Sequence, residues 1–152
     1  MTLKKYLYPV FITTFLAVID NLVKYFIRNN NIQEFVVVEN FLTIDLTYNT
    51  GIAFGFLSDY TNTTYLISLL VLGWLIYQIN DIEKNSIEFY SFILILGGAL
   101  GNLSERGWSL LTGDGGKVTD FIELLFIPSF NIADSLITIG IVSLLLMEFK
   151  NR

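Results

Sequence analysis

The sequence predicts an α-helical integral membrane protein, with four transmembrane helices and a small antiparallel sheet on the extracytoplasmic face. Three observations predict it. Of 152 residues, 53% are hydrophobic and 15% aromatic, and the mean hydropathy of +0.60 exceeds what a water-soluble domain of this size can cover with polar surface. Apolar runs near the ~20 residues that cross a bilayer recur four times. Between the first two runs lies a segment rich in β-branched and aromatic residues.

The first span runs from about residue 6 to 27. Lys4 and Lys5 precede it as in a signal peptide, but no small-residue cleavage site follows and the run continues through Asp20, so it reads as an uncleaved anchor. The outer β-region covers about residues 35–56. Phe35–Val38 and Phe41–Tyr48 are strand-like, Glu39-Asn40 separates them as a turn, and Asn49-Thr50-Gly51 ends them. Ile52–Phe56 is too apolar for a solvated loop and is expected at the membrane interface. The second span covers about 63–79, the third 87–103 and the fourth 133–149, with residues 104–132 as a second outer loop. The whole chain, 1–152, reads as a single membrane-embedded domain.

An even number of spans places both termini and the 80–86 turn on one side, together with Lys4, Lys5, Lys84, Lys150 and Arg152. Arg28, Arg106 and Lys117 fall on the other side, across much longer loops. The bias puts both termini in the cytoplasm.

The chain contains no His and no Cys. That excludes disulfides, thiol nucleophiles, Ser-His-Asp chemistry and nearly all zinc sites. The net charge of −5 argues against a nucleic-acid partner. Function must be sought among polar residues placed in or beside apolar runs, where they are costly and usually face a cavity or a partner.

Asp20 and Lys24 are spaced i,i+4 in the first span and share a helical face. They read equally as an internal ion pair or as the scaffold of a site. Asn49 reads first as a turn residue, with substrate binding by its amide as the alternative. Gly97 and Gly101 form a small-xxx-small face suited to close helix approach. Asn102 and Arg106 project together if that helix continues, although an Arg just past a span can simply reach for headgroups. Gly113–Gly116 reads as a connector, because it lacks the Lys and Ser/Thr of a phosphate loop.

Asp120 and Asp134 sit at the expected outer boundary of the last two spans. Taken singly, one is a loop charge and the other a helix-dipole partner. Taken together, they are two carboxylates at one depth. Such a pair can share one proton, because both do not easily ionise in contact. The ionised member can activate water and the protonated member can assist a carbonyl and then a leaving amine. This is peptide hydrolysis without His, Cys or metal.

The ordered set Asp20-x-x-x-Lys24, Asn49-Thr50-Gly51-x-Ala53-Phe54-Gly55, Gly97-Gly98-Ala99-x-Gly101-Asn102-x-x-x-Arg106, Val118-x-Asp120-Phe121 and Phe130-Asn131-x-Ala133-Asp134-Ser135 resembles bacterial lipoprotein signal peptidase, signal peptidase II. The resemblance spans nearly the whole chain. It implies an intramembrane aspartic protease of the bacterial cytoplasmic membrane, with its active site near the extracytoplasmic face. The enzyme would cleave the signal peptide from prolipoproteins just before the diacylglyceryl-modified Cys. On this mapping Asp120 and Asp134 are catalytic. Asn49, Gly51, Asn102, Arg106 and Asn131 line or brace the site, and Asp20 and Lys24 support it. The resemblance further implies a β-cradle, no cofactor and no metal, a monomer among membrane lipids, and inhibition by cyclic peptides such as globomycin. Glu105 stands where the family usually has Asp, the Arg106–Asp120 segment is longer than usual, and the Asp120–Asp134 segment is shorter. These departures bear on the shape of the substrate cleft. A small transporter or channel, or a non-catalytic lipoprotein-binding factor, are the alternative readings.

Overall fold

The computed structural model describes residues 4–51 and 60–150. In chain order these form α1 (Lys4–Asn29), β1 (Phe35–Val38), β2 (Leu42–Asn49), α2 (Thr61–Gln78), α3 (Ile87–Leu111), β3 (Val118–Leu124), β4 (Ile127–Phe130) and α4 (Ile132–Lys150). The expected interfacial run Ile52–Phe56 lies outside the described residues.

All four expected spans are helical. Among the described residues, three helices are long and apolar enough to cross a membrane: Leu7–Asn29 of α1, α3 and α4. The remaining helix, α2, has 18 residues and opens on Thr61-Asn62-Thr63-Thr64, which dilutes its apolar run. Solvation is inverted relative to a soluble protein. The largest fully buried side chains include Lys24, Asn131, Thr119 and Asp20, whereas Phe11, Leu70, Leu146 and Phe149 are exposed. Apolar surface facing outward around polar groups facing inward is the arrangement a hydrocarbon surrounding requires.

Two expectations are corrected. The third helix does not end at Leu103 but continues to Leu111. Its added turns carry Glu105, Arg106 and Ser109, all buried, so their polar groups are met by protein and the helix has no reason to stop at the apolar limit. Residues 104–132 are not a plain loop either. They contain β3 and β4, which extend the expected hairpin into a four-stranded antiparallel sheet of order β1-β2-β3-β4. Pro128 falls in β4, an edge strand, where its missing N–H breaks no inner ladder.

Local chemistry sets several boundaries. Asn40 holds a positive φ of 55° between β1 and β2, a conformation that Asn tolerates. The Ser86 hydroxyl caps α3 by accepting from Phe89 N at 3.0 Å. Gly113, Gly115 and Gly116 all have positive φ and make the expected connector between α3 and β3. The β2–β3 ladder shifts register between Ile44 and Thr47. There Leu46 N donates instead to Ile32 O at 3.1 Å, so the irregularity leaves that group satisfied.

Glycines bring the helices together. A Cβ on Gly97 would lie 2.9 Å from Leu16 Cβ, and one on Gly101 would lie 2.8 Å from Asp20 Oδ2, so the expected small-residue face seats α1 on α3. On the α4 side, a Cβ on Gly98 would lie 2.3 Å from the Ala133 carbonyl oxygen. Backbone this close leaves no room for a side chain. A smaller apolar cluster of Leu75, Ile95 and Leu96 joins α2 to α3. Gly98→Ala is expected to destabilise the fold by about 1–3 kcal/mol through overpacking, whereas Gly73→Ala, which meets nothing within 4 Å, should leave it unchanged or slightly more stable. Thermal unfolding in detergent micelles checks the contrast, and equal losses at both positions would contradict it.

Candidate active site

The residues singled out in the sequence converge where the C-terminal parts of α1 and α3 meet β2, β3 and the start of α4. Asp20, Lys24, Asn131 and Thr119 are wholly buried there, and Asp120 is 3% exposed.

The Asp20–Lys24 pair forms as the spacing predicts, with Lys24 Nζ 2.7 Å from Asp20 Oδ2. The ion-pair reading is realised, and both side chains also reach beyond their own helix. Asp20 Oδ1 accepts from Ala133 N at 2.8 Å, in the first turn of α4. Lys24 Nζ also donates to Asn102 Oδ1 at 2.7 Å and lies 3.2 Å from Glu105 Oε2. The buried ammonium thus has one hydrogen-bond acceptor and two carboxylates in ion-pair contact, which is the surrounding a buried cation needs.

Asn131 is the N-cap of α4. Its Oδ1 accepts from Asp134 N at 2.9 Å, and Asp134 Oδ2 accepts in return from Asn131 N at 3.2 Å. This reciprocal capping box points the Asp134 carboxylate back over the helix start. Asp134 Oδ1 then accepts from Asn102 Nδ2 at 2.8 Å. The other end of the Asn131 side chain donates to Asp120 Oδ1 at 2.7 Å, and also approaches Asn102 Oδ1 at 3.1 Å and Thr119 O at 3.2 Å. One asparagine thus bridges the two aspartates.

Asp120 lies on β3, opposite Thr47 of β2, rather than in a loop. Its carboxyl is pushed up to about 7, first by burial and then by the nearby Asp134 carboxylate. Hydrogen bonds from the Asn49 and Asn131 side chains and the positive charge of Lys24 oppose that rise without cancelling it. Asn49 fills its expected turn role and also reaches the site. It bonds Asp120, and its Oδ1 accepts from Gly51 N at 2.9 Å to close the turn.

Arg106 does not reach for lipid headgroups. Its guanidinium is buried and donates to the carbonyls of Thr50 at 2.8 Å, Gly116 at 2.9 Å and Gly51 at 2.6 Å. It fastens the turn after β2 to the connector before β3, so the ends of the two strands bearing Asn49 and Asp120 are held side by side.

Sequence reasoning noted Glu105 only as a departure from a family pattern. Glu105 is a hub. It accepts from Thr119 N at 3.1 Å and Thr119 Oγ1 at 2.7 Å and pairs with both Lys24 and Arg28. Thr119 precedes Asp120, so Glu105 anchors the strand beside it. Arg28 was also missed, although Asp20, Lys24 and Arg28 at successive i,i+4 positions mark one helical face. Asn21 adds a further tie, donating to Gly101 O at 3.2 Å and Ser104 Oγ at 3.0 Å. A separate cavity of about 420 Å³ is lined by Arg28, Tyr48, Glu105, Trp108 and Lys117 among others, and neither Asp120 nor Asp134 lines it.

A buried carboxylate and a half-buried one, both bonded by Asn131, can hold a single proton between them and act as a base and an acid on a bound water and carbonyl. Comparisons with known proteins agree with this geometry. The family model for signal peptidase (SPase) II matches residues 12–150. The lipoprotein signal peptidase of Caldanaerobacter subterraneus subsp. tengcongensis is 36% identical, covering 91% of this chain and 94% of its own. That of Staphylococcus aureus strain bovine RF122 / ET3-1 is 34% identical, covering 93% and 88%. A bacterial membrane enzyme solved by the in meso method at 2.3 Å resolution superposes with a TM-score of 0.82 at 33% identity, covering 94% of this chain and 88% of that one. The chain belongs to the signal peptidase II family of proteases.

Proposed function

We propose that the chain is an aspartic endopeptidase that hydrolyses the peptide bond before the diacylglyceryl-modified Cys of prolipoproteins, with Asp120 and Asp134 as its catalytic dyad. The observation that carries this reading is that Asn131 bonds both carboxylates, the buried Asp120 and the half-buried Asp134. In the first step the ionised carboxylate takes a proton from water as the water oxygen bonds to the scissile carbonyl carbon. The protonated carboxyl passes its proton to the carbonyl oxygen, leaving a neutral tetrahedral diol. Collapse breaks the C–N bond, the amine nitrogen takes a proton from the first carboxyl, and the second recovers its proton from a diol hydroxyl. Protons balance and the dyad is regenerated.

Asn49, Gly51, Asn102, Arg106 and Asn131 brace this site, and Asp20 and Lys24 support it from α1. In the bilayer, α2 is the fourth span beside α1, α3 and α4. Both termini are cytoplasmic, and the sheet and site face outward at the bacterial inner membrane. The protein works as a monomer, takes a lipidated substrate from the membrane and is inhibited by cyclic peptides such as globomycin. The inward polar cluster at one end of an apolar bundle supports this placement.

Asp120→Asn and Asp134→Asn should each lower cleavage of a purified lipidated precursor by at least about 10³-fold, and the double variant should be little worse than either alone, because the pair acts as one unit. Full activity in either single variant would remove that residue from the dyad. The pH profile is a second check. Asp120 is pushed up to about 7 from 3.8, so the shared proton is present below that pH and lost above it, and cleavage should decline on the alkaline side of about pH 7. The same shift means the unfolded chain releases this proton first. Stability should therefore fall as pH rises from 3.8 to about 7, and Asp120→Asn should flatten that slope in unfolding measurements.

A further inference from the structure

The dyad reading leaves open which aspartate carries the shared proton. Hydrogen-bond accounting separates the two. Both Asp134 oxygens are taken by N–H donors, Oδ1 by Asn102 Nδ2 at 2.8 Å and Oδ2 by Asn131 N at 3.2 Å. Asp134 also lies in the first turn of α4, where the helix dipole favours negative charge. Asp120 lies on a strand with no such dipole. It accepts a hydrogen bond from the Asn49 side chain, and its donor from Asn131 has two hydrogens to spread over three acceptors: Asp120 Oδ1, Asn102 Oδ1 and Thr119 O.

The Asn102–Asp134 bond depends on which way the Asn102 amide points. Lys24 settles this, because an ammonium can only donate. With Lys24 Nζ at 2.7 Å and Asn131 Nδ2 at 3.1 Å both aimed at Asn102 Oδ1, the amide nitrogen must face Asp134. Lys24 is itself held by Asp20 and Glu105, so its ammonium cannot swing away. Among the described residues, the charged groups around Asp134 are Asp20, Lys24 and Arg28 from α1, Glu105 and Arg106 from α3, and Asp120 from β3. Arg28 is committed to Glu105 and Arg106 to loop carbonyls. Of the three cations, only Lys24 bonds a residue that bonds Asp134.

We infer that Lys24 is a positioning residue for proton placement: by holding the Asn102 carbonyl it turns the amide N–H onto Asp134, so that Asp134 is the base that activates water and Asp120 the acid that protonates the carbonyl oxygen. This rests on the dyad reading above. The raised titration of Asp120 agrees with it.

The test is the pH dependence of kcat/KM for cleavage of a lipidated precursor by purified protein in lipid nanodiscs. Lys24→Met alone leaves two buried carboxylates with one fewer cation, so Asp20→Asn/Lys24→Met is the working variant, since it preserves the charge balance. Asn102→Ala, which leaves both carboxylate partners of Lys24 in place, is the second. Each should move the acid limb of the profile up by roughly one pH unit, with KM changed less than about 3-fold. Combining them should add nothing to Asn102→Ala, because Lys24 acts through Asn102. Acid limbs unmoved in both folded variants, or shifts that add, overturn the inference. Failure of the dyad itself would be distinct: Asp120→Asn or Asp134→Asn would then retain activity. If those two are inactive while the limbs stay fixed, only the role of Lys24 falls.

Discussion

Lys24 carries a full positive charge where water does not reach. Leaving such an ion unpaired costs on the order of several kcal/mol, and this cost organises the end of the molecule that carries the site. Three acceptors from two helices must close around one ammonium: Asp20 from α1, and Asn102 and Glu105 from α3. Each acceptor then has oxygens or hydrogens left over. Asp20 spends its second oxygen on the start of α4, Asn102 spends its amide on Asp134, and Glu105 spends its carboxylate on Thr119 of β3. The position of both aspartates thus follows from neutralising one buried charge.

Backbone proximity makes that closure possible. Gly98 and Gly101 admit the Ala133 carbonyl and the Asp20 carboxylate at distances no side chain would permit. Close packing and polar satisfaction are coupled here. A bundle held apart by larger residues could not deliver Asp20 Oδ1 to Ala133 N, and the first turn of α4 would then lose a partner for one of its free N–H groups. In a hydrocarbon surrounding, such a group has no water to turn to.

Much of this was legible in the sequence. The Asp20–Lys24 pair follows from i,i+4 spacing, the Gly97/Gly101 face from its small-xxx-small pattern, and the β1–β2 hairpin from two β-branched runs around Glu39-Asn40. The two aspartates could be singled out because ionisable groups beside apolar runs need a reason to be there. Less legible was β3. Val118–Leu124 alternates only loosely, is buried on both faces near Asp120, and pairs with a strand distant in the chain, so local pattern could not separate it from a loop. Glu105 was hidden for a related reason. A lone acid at the end of a span looks like any solvated residue until three partners from two other elements surround it.

The sequence by itself determined the solvent. Composition and apolar run length settle that most of this surface meets lipid, and the absence of His and Cys excludes thiol and Ser-His-Asp chemistry. Helix periodicity also determined which polar residues share a face, because that geometry is local. Only the tertiary structure decided what those faces meet. It turned Arg106 onto loop carbonyls, made Asn131 a cap and a bridge at once, and gave Asp120 and Asp134 different hydrogen-bond surroundings. An amide or guanidinium is chemically the same wherever it stands. Its direction is set by donors and acceptors that arrive from other parts of the chain, and those exist together only after folding.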